Sequence, residues 1–231
     1  YWRYALNGAE PISAVVQERF AARFAGVGFR AESLMPVYGL SECALAATFT
    51  AAGGPKREMR VDADTLAATG RVSAGARRIV SVGTPVPGAA IDVRDDDGES
   101  VTDGLAGRVW LRAPFVMHGY FGQPDESAEV MRDGWLDTGD LGFVDGGELF
   151  ITGRAKDVVI IRGANHSPQS FEECLGSVEG VRTGCAVALG VVPPGQDDEA
   201  LLVLAEHTQG APADLEARIA AAIVEHTSIA P

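Results

Sequence analysis

Apolar and polar residues alternate along the first fifty positions in a pattern that predicts two units of strand, loop and helix. Residues 4–9 predict the end of a strand that runs into a loop. After Pro11, residues 12–24 carry isoleucine, valine and phenylalanine near helical spacing, which predicts a helix with one buried face. Residues 34–38 predict a second strand, and the apolar residues 43–49 predict a second helix. This order favours an α/β layer that binds ligands at its strand ends.

The middle of the sequence contains two segments whose residue patterns differ from the first fifty positions and from each other. Residues 51–78 carry alternating charges and scattered glycines, and they predict an exposed insertion with little core of its own. Residues 79–155 contain short alternating segments between turn residues, such as GRVWLR at 107–112. We therefore expect a small all-β layer or barrel over residues 79–155.

The last third of the sequence predicts a second, smaller α/β domain. The polar residues 154–157 would join it to the first, so the predicted domains are 1–154 and 155–231. The fold class is predicted to be α/β in both. The elements expected in the small domain are a strand at 158–161, a helix at about 168–178, strands at 185–191 and 200–206, and a helix at 212–225.

Charge narrows the possible partners. The net charge of −13 and the pI of about 4.7 argue against nucleic acid and anionic membrane surfaces, which require clustered Lys and Arg. No apolar run approaches the roughly 20 residues of a membrane span, so we expect a cytoplasmic protein without an integral membrane segment. Cys43, Cys174 and Cys185 are odd in number and widely spaced, and this predicts free thiols.

Several polar residues are candidates for ligand binding, but each has a simpler alternative. Asp140 and Arg154 lie at predicted strand ends and suit a polar, anionic ligand such as a nucleotide. Taken alone, Asp140 could be a turn residue and Arg154 a surface ion-pair partner. Tyr38 could be a core aromatic and Glu42 a helix N-terminal acid that suits the helix dipole. The residues by themselves leave these alternatives open.

Four motifs in order resemble the adenylate-forming superfamily of acyl-CoA ligases, peptide-synthetase adenylation domains and luciferases. They are NGAEP at 7–11, YGLSE at 38–42, GWLDTGD at 134–140 and GRAKD at 153–157. The resemblance implies that 1–154 is the C-terminal part of a large ATP-binding domain. Residues 155–231 would then be most of a small mobile domain.

Two further segments are similar to the fatty acyl-AMP ligases within that superfamily. They are SVGTP at 81–85 and RGANHSPQ at 162–169. The insertion at 51–78 resembles the extra segment of these enzymes, which is thought to limit the domain rotation that CoA use requires. The resemblance therefore implies transfer of the acyl group to the phosphopantetheine thiol of a carrier protein.

The resemblance implies a role for each matching residue on the phosphate side of ATP. Glu42 would hold Mg²⁺, and Ser41 would donate a hydrogen bond to a phosphate oxygen. Arg154 would donate charge-assisted hydrogen bonds to the ribose or a phosphate. Lys156 matches the hinge about which the small domain turns between the half-reactions.

The nucleoside side is implied in the same way. Tyr38 would stack on adenine, with Gly39 beside it in the nucleotide site, and Asp140 would accept hydrogen bonds from both ribose hydroxyls. The backbone that would line the opposite side of the adenine belongs to Gly8, Ala9 and Glu10.

Two elements of the superfamily do not occur in the sequence, and this affects the expected activity. The Ser/Thr/Gly-rich phosphate loop is expected upstream of Tyr1, and the C-terminal catalytic lysine is expected beyond Pro231. The expected full protein activates a fatty acid with ATP and Mg²⁺ and loads an acyl carrier protein, or a carrier domain of a polyketide or peptide synthase. The 231 residues alone are expected to be inactive. The alternatives are a long-chain acyl-CoA ligase and a non-catalytic nucleotide-binding or interaction module.

Overall fold

The computed structural model describes residues 2–161, 164–193, 199–227 and 229. Residues 162 and 163, which begin the segment 162–169, lie outside the described residues. Contacts divide the chain into a first unit, Tyr1–Arg60 with Arg78–Thr152, and a second unit, Val61–Arg77 with Gly153–Pro231. The domains predicted from the sequence, 1–154 and 155–231, stay a prediction. Within the described ranges, no helix has both the length and the apolar composition to cross a membrane.

The chain forms short strands and helices throughout the described residues. The helices are α1 (Ala14–Ala25), α2 (Ala63–Thr69), α3 (Pro124–Val130), α4 (Pro168–Leu175) and α5 (Leu215–Thr227). The strands are β1 (Ala5–Asn7), β2 (Leu34–Tyr38), β3 (Thr48–Phe49), β4 (Glu58–Val61), β5 (Arg77–Val80), β6 (Thr84–Pro85), β7 (Ala90–Arg94), β8 (Gly107–Arg112), β9 (Met131–Arg132), β10 (Trp135–Asp145), β11 (Glu148–Arg154), β12 (Val159–Ile161), β13 (Ala164–His166), β14 (Val181–Val191) and β15 (Ala200–His207).

The first sheet of the first unit has the strand order β1-β2-β3-β6. The β1–β2 pair is parallel, and the β2–β3 and β3–β6 pairs are antiparallel. The strand predicted at 34–38 is confirmed by β2, but the helix predicted at 43–49 is wrong. Ala44 and Leu45 have φ of 55° and 101°, which excludes a right-handed helix there, and the chain enters β3 instead.

The apolar face of α1 is a second correction. The helix begins at Ala14, where the Ser13 hydroxyl accepts a hydrogen bond from the Val16 N–H at 3.3 Å. Its buried residues are Ala14 and Gln17, whereas Val16 is 54% exposed and Phe24 is 41% exposed. The predicted burial of the Val and Phe face is therefore wrong, since Ala14 and Gln17 are the residues of this helix that are buried.

A second sheet in the first unit has the strand order β11-β10-β8-β7, and β9 also pairs with β10. The β8–β10 and β7–β8 pairs are antiparallel, so a β layer forms within the predicted range 79–155. The prediction that this range is all-β is wrong, because helix α3 lies within it. Alternate residues of these strands point into a core that also receives Tyr38. The buried members of this core are Tyr38, Cys43, Ala47, Val82, Val109, Leu111 and Leu149.

The second unit packs α4 and α5 with the antiparallel pair β14–β15. Phe171 and Leu175 of α4 and Ile223 of α5 are fully buried in its core. The second unit therefore combines helices and strands around one core over its described residues. All five of the elements expected there form, with shifts at their ends.

Part of the predicted insertion has structure and belongs to the second unit. Helix α2 contacts β13, and its N-cap residue Asp62 accepts a hydrogen bond from the Thr65 N–H at 2.8 Å. Val61 is fully buried and Leu66 is 8% exposed. The expectation of an exposed segment with little core is therefore wrong for Val61–Arg77, since two of its apolar side chains are buried within this unit.

Candidate nucleotide site

The parallel pair β1–β2 brings two of the sequence motifs to one edge of the first sheet. Ala5 pairs with Leu34 and Asn7 with Pro36, so both strands end at the same edge. Gly8 follows the first strand and Gly39 follows the second. The carboxyl ends of parallel strands are where open α/β sheets bind ligands, so this edge is the candidate site.

The turn after β1 brings the main chain against β2. A Cβ atom on Gly8 would lie 2.7 Å from the Val37 carbonyl oxygen, so a side chain does not fit there. Ala9 has a φ of 70°, a left-handed conformation that costs a residue with a side chain about 1–3 kcal/mol. Glu10 follows with an exposed side chain. The turn thus presents backbone, with little side-chain cover, at the sheet edge.

The turn after β2 is still more constrained. A Cβ atom on Gly39 would lie 1.8 Å from the Leu45 carbonyl oxygen, because residues 44 and 45 fold back over the glycine in left-handed conformations. Between Gly39 and Ala44, Ser41–Cys43 forms one turn of 3-10 helix. Cys43 is 1% exposed, whereas Ser41 is exposed and Glu42 is half-buried. The constrained backbone of this turn therefore carries the Ser41 hydroxyl and the Glu42 carboxylate.

Tyr38 and Asp140 form a buried pair at this edge. The Tyr38 hydroxyl donates a hydrogen bond to Asp140 Oδ2 at 2.7 Å, and the two residues are 9% and 7% exposed. Burial raises the pKa of Tyr38 far above its usual value, and the charge of Asp140 raises it further. Tyr38 therefore stays protonated and acts as the donor, which fixes the orientation of the carboxylate.

An irregularity in β10 directs Asp140 inward. The pairing of β10 with β8 shifts register between Asp137 and Leu141, as in a β-bulge. The Asp140 N–H donates to the Thr138 hydroxyl oxygen at 3.2 Å, and that hydroxyl donates to the Val109 carbonyl at 2.8 Å. Asp137 lies at the start of the same irregularity and accepts hydrogen bonds from the Gly139 N–H and the Arg108 guanidinium.

Replacing Tyr38 with phenylalanine tests the buried pair. The substitution keeps the ring but leaves the Asp140 carboxylate without one donor in the core. Because a hydrogen bond to a charged group contributes about 1.5–3 kcal/mol, we expect a loss of about 1–2 kcal/mol in the free energy of unfolding. Urea denaturation measures this loss. A change below about 0.5 kcal/mol would mean that the pair does not form in solution.

Glu42 has a partner that the sequence did not reveal. The Tyr120 hydroxyl donates to Glu42 Oε1 at 2.9 Å, and the Met117 N–H donates to the Glu42 carbonyl oxygen at 2.7 Å. Tyr120 was missed because a contact between residues 78 positions apart leaves no local sequence pattern.

The donor set fits a magnesium ion that is shared with a nucleotide. No group of three or more His, Cys, Asp or Glu side chains that could hold a metal ion occurs in the part of the chain that the structure describes. Mg²⁺ commonly takes one or two carboxylates, and waters and phosphate oxygens complete its octahedron. The Glu42 carboxylate, which lies in the turn after β2, suits the role of such a magnesium ligand.

Arg154 and Lys156 belong to the second unit. Arg154 is the last residue of β11, and Lys156 follows in a turn where the Asp157 N–H donates to the Arg154 carbonyl at 3.2 Å. Both side chains are exposed. His166 is buried at the end of β13 against the ring of Phe171, and burial lowers the pKa of His166, so it stays neutral near pH 7.

Comparison with known proteins identifies the family to which the chain belongs. The model of the AMP-binding enzyme family matches residues 2–121. A Caulobacter vibrioides protein that carries the proposed name acyl-CoA synthetase is 35% identical, over 95% of this chain and 39% of its own length. The medium-chain-fatty-acid–[acyl-carrier-protein] ligase JamA of Moorena producens is also 35% identical, over 89% of this chain and 37% of its own length.

A solved structure gives the same result for the fold. It comes from a study of fatty acyl-adenylate ligases from E. coli and L. pneumophila and matches with a TM-score of 0.88 and 34% identity. The match covers 99% of this chain and 42% of that one. The chain therefore belongs to the AMP-binding enzyme family, and its α/β fold class is confirmed. It spans about two fifths of the length of these relatives.

Proposed function

We propose that the full-length protein carrying this chain activates a fatty acid with ATP to an acyl-adenylate and transfers the acyl group to an acyl carrier protein. The observation that carries the proposal is the hydrogen bond from Tyr38, at the carboxyl end of β2, to Asp140, with Glu42 in the turn that follows β2. Support for the substrate class comes from JamA and from the fatty acyl-adenylate ligase structure.

Adenylation requires a nucleotide held so that its α-phosphorus faces the fatty acid. In the proposed site, Asp140 accepts hydrogen bonds from the ribose hydroxyls, and Tyr38 and Gly39 border the adenine opposite Gly8, Ala9 and Glu10. Oδ2 of Asp140 accepts from Tyr38, and a carboxylate has about four acceptor positions in all.

The phosphates would lie near Ser41 and Glu42. Ser41 donates to a phosphate oxygen, and Glu42 holds Mg²⁺. When bound, the ion spreads the negative charge of the phosphates. A carboxylate oxygen of the fatty acid attacks the α-phosphorus while the bond from that phosphorus to pyrophosphate breaks, and pyrophosphate leaves with the electron pair.

The second half-reaction transfers the acyl group. The phosphopantetheine thiolate attacks the carbonyl carbon of the adenylate, and AMP leaves with the electrons of the broken C–O bond. We propose that Lys156 lies at the hinge between a large domain, 1–154, and a small domain, 155–231, and that Arg154 contributes positive charge to the nucleotide. The location of Val61–Arg77 in one unit with Gly153–Pro231 supports the carrier-specific version, in which the insertion limits domain rotation.

Thioester formation by the full-length protein tests the proposal. With ATP, Mg²⁺ and a fatty acid, we expect release of pyrophosphate and rapid acylation of a phosphopantetheinylated carrier protein. With CoA in place of the carrier, we expect thioester formation to be slower by about 100-fold, equivalent to roughly 3 kcal/mol in the transition state. Mass spectrometry of the acyl carrier and chromatography of acyl-CoA measure the two products.

The same experiment decides between the alternatives. Comparable rates with CoA and carrier would support the acyl-CoA ligase, which the name of the Caulobacter relative favours. Nucleotide binding without fatty-acid-dependent release of pyrophosphate would contradict both versions and leave a binding module.

A further inference from the structure

The segment between β8 and α3 is attached to Glu42 at two points. One is the main-chain hydrogen bond from the Met117 N–H to the Glu42 carbonyl at 2.7 Å. The other is the side-chain hydrogen bond from the Tyr120 hydroxyl to Glu42 Oε1 at 2.9 Å. The first contact locates the backbone of Glu42, and the second fixes the rotation of its carboxylate.

Tyr120 is itself held in place for this contact. Its N–H donates to the Ser127 hydroxyl oxygen at 2.8 Å, and that hydroxyl donates to the Gln123 carbonyl at 2.6 Å. Ser127 lies on α3, so the tyrosine backbone is tied to a helix rather than to a loose loop.

A hydrogen bond to one carboxylate oxygen has a consequence for a metal bound by the same carboxylate. It limits the rotation of the group and so sets the direction in which the second oxygen presents its lone pairs. Partners that orient metal ligands in this way commonly contribute about 10- to 100-fold to metal affinity or activity.

We propose that Tyr120 is a positioning residue that orients the Glu42 carboxylate for the Mg²⁺ of the Mg·ATP complex. The proposal rests on the proposed function, because it takes Glu42 as the magnesium ligand. Tyr120 does not contact the reacting atoms in this scheme. Its effect reaches the reaction only through Glu42.

Metal affinity is the direct test, and it needs no turnover. Mn²⁺ replaces Mg²⁺, and its binding to the full-length protein is measured by electron paramagnetic resonance with a non-hydrolysable ATP analogue present. For Tyr120→Phe we expect Mn²⁺ to bind about 10-fold more weakly, with the melting temperature lowered by less than about 3 °C. The matched control is Tyr4→Phe, which removes a hydroxyl from a tyrosine that is 61% exposed and should leave Mn²⁺ affinity unchanged.

A double substitution separates the proposal from its premise. If Tyr120 acts through Glu42, adding Tyr120→Phe to Glu42→Gln should weaken Mn²⁺ binding no further. If Glu42→Gln alone leaves Mn²⁺ affinity unchanged, the magnesium role of Glu42 fails and the positioning role fails with it. If Glu42→Gln weakens binding but Tyr120→Phe does not, Tyr120 only fastens the loop, and the proposal is overturned while the proposed function stands.

Discussion

Replacing Asp140 with alanine is expected to weaken ATP binding by roughly 2–4 kcal/mol, which is about 30- to 700-fold in the dissociation constant. The reason is that the proposed ribose contacts are charge-assisted hydrogen bonds to one carboxylate. Each such bond contributes about 1.5–3 kcal/mol, with some compensation by water when the carboxylate is removed. Titration calorimetry with ATP and the full-length protein measures the change.

The difficulty with this variant is that Asp140 also accepts from Tyr38. Alanine would remove the carboxylate that accepts from the Tyr38 hydroxyl in a site where both residues are less than 10% exposed, so the fold should lose stability as well. Asp140→Asn is the matched control, because its amide oxygen can still accept from Tyr38. Neutral hydrogen bonds are about half as strong as charge-assisted ones, so we expect asparagine to restore stability but only about half of the lost affinity.

The two variants together separate a structural role from a ligand role. Full recovery of both stability and ATP affinity in Asp140→Asn would mean that the carboxylate only supports Tyr38. ATP affinity that is unchanged in Asp140→Ala would contradict the ribose role altogether. We expect Asp140→Asn to recover its stability but only part of its ATP affinity. This pattern would mean that the ligand contact depends on the charge of the carboxylate.

The parts of the fold that could be predicted were those set by short-range pattern. The run LMPVY predicted β2 with its observed bounds, and alternation predicted the β layer that contains β8. The helix at 43–49 was wrong because apolar composition does not reveal the left-handed backbone at Ala44 and Leu45. The burial of α1 was wrong because spacing identifies an apolar face but not what packs against it.

The candidate site, like the fold, could be predicted from the sequence only in part. The motifs identified Tyr38, Glu42 and Asp140 as separate positions, and the parallel pair β1–β2 explains why the motifs at 7–11 and 38–42 lie at one edge. The hydrogen bonds from Tyr38 to Asp140 and from Tyr120 to Glu42 join residues 102 and 78 positions apart. Such contacts depend on how two sheets and a loop pack, and no local pattern of residue types contains that information.

Gly39→Ala is expected to lower the free energy of unfolding by about 3 kcal/mol or more. The new Cβ would lie 1.8 Å from the Leu45 carbonyl oxygen and 2.7 Å from the Ala46 Cα, and these are backbone atoms that cannot rotate away. The Leu45 N–H donates to the Leu40 carbonyl at 3.2 Å, which holds the turn closed over the glycine. The methyl group can be accommodated only if the turn that carries Ser41 and Glu42 opens.

Gly26→Ala is the matched control for this substitution. Gly26 ends α1 with φ of −63° and ψ of −17°, and no heavy atom lies within 4 Å of the position that the added methyl group would take. Alanine at such a position should be neutral or stabilising by up to about 1 kcal/mol. Urea denaturation, monitored by tryptophan fluorescence, compares the free energies of unfolding of the two variants.

A Gly39→Ala protein as stable as Gly26→Ala would contradict the packing of residues 44 and 45 over Gly39. A Gly39→Ala protein that is destabilised and also loses ATP affinity would link the strained turn directly to the proposed phosphate contacts of Ser41 and Glu42.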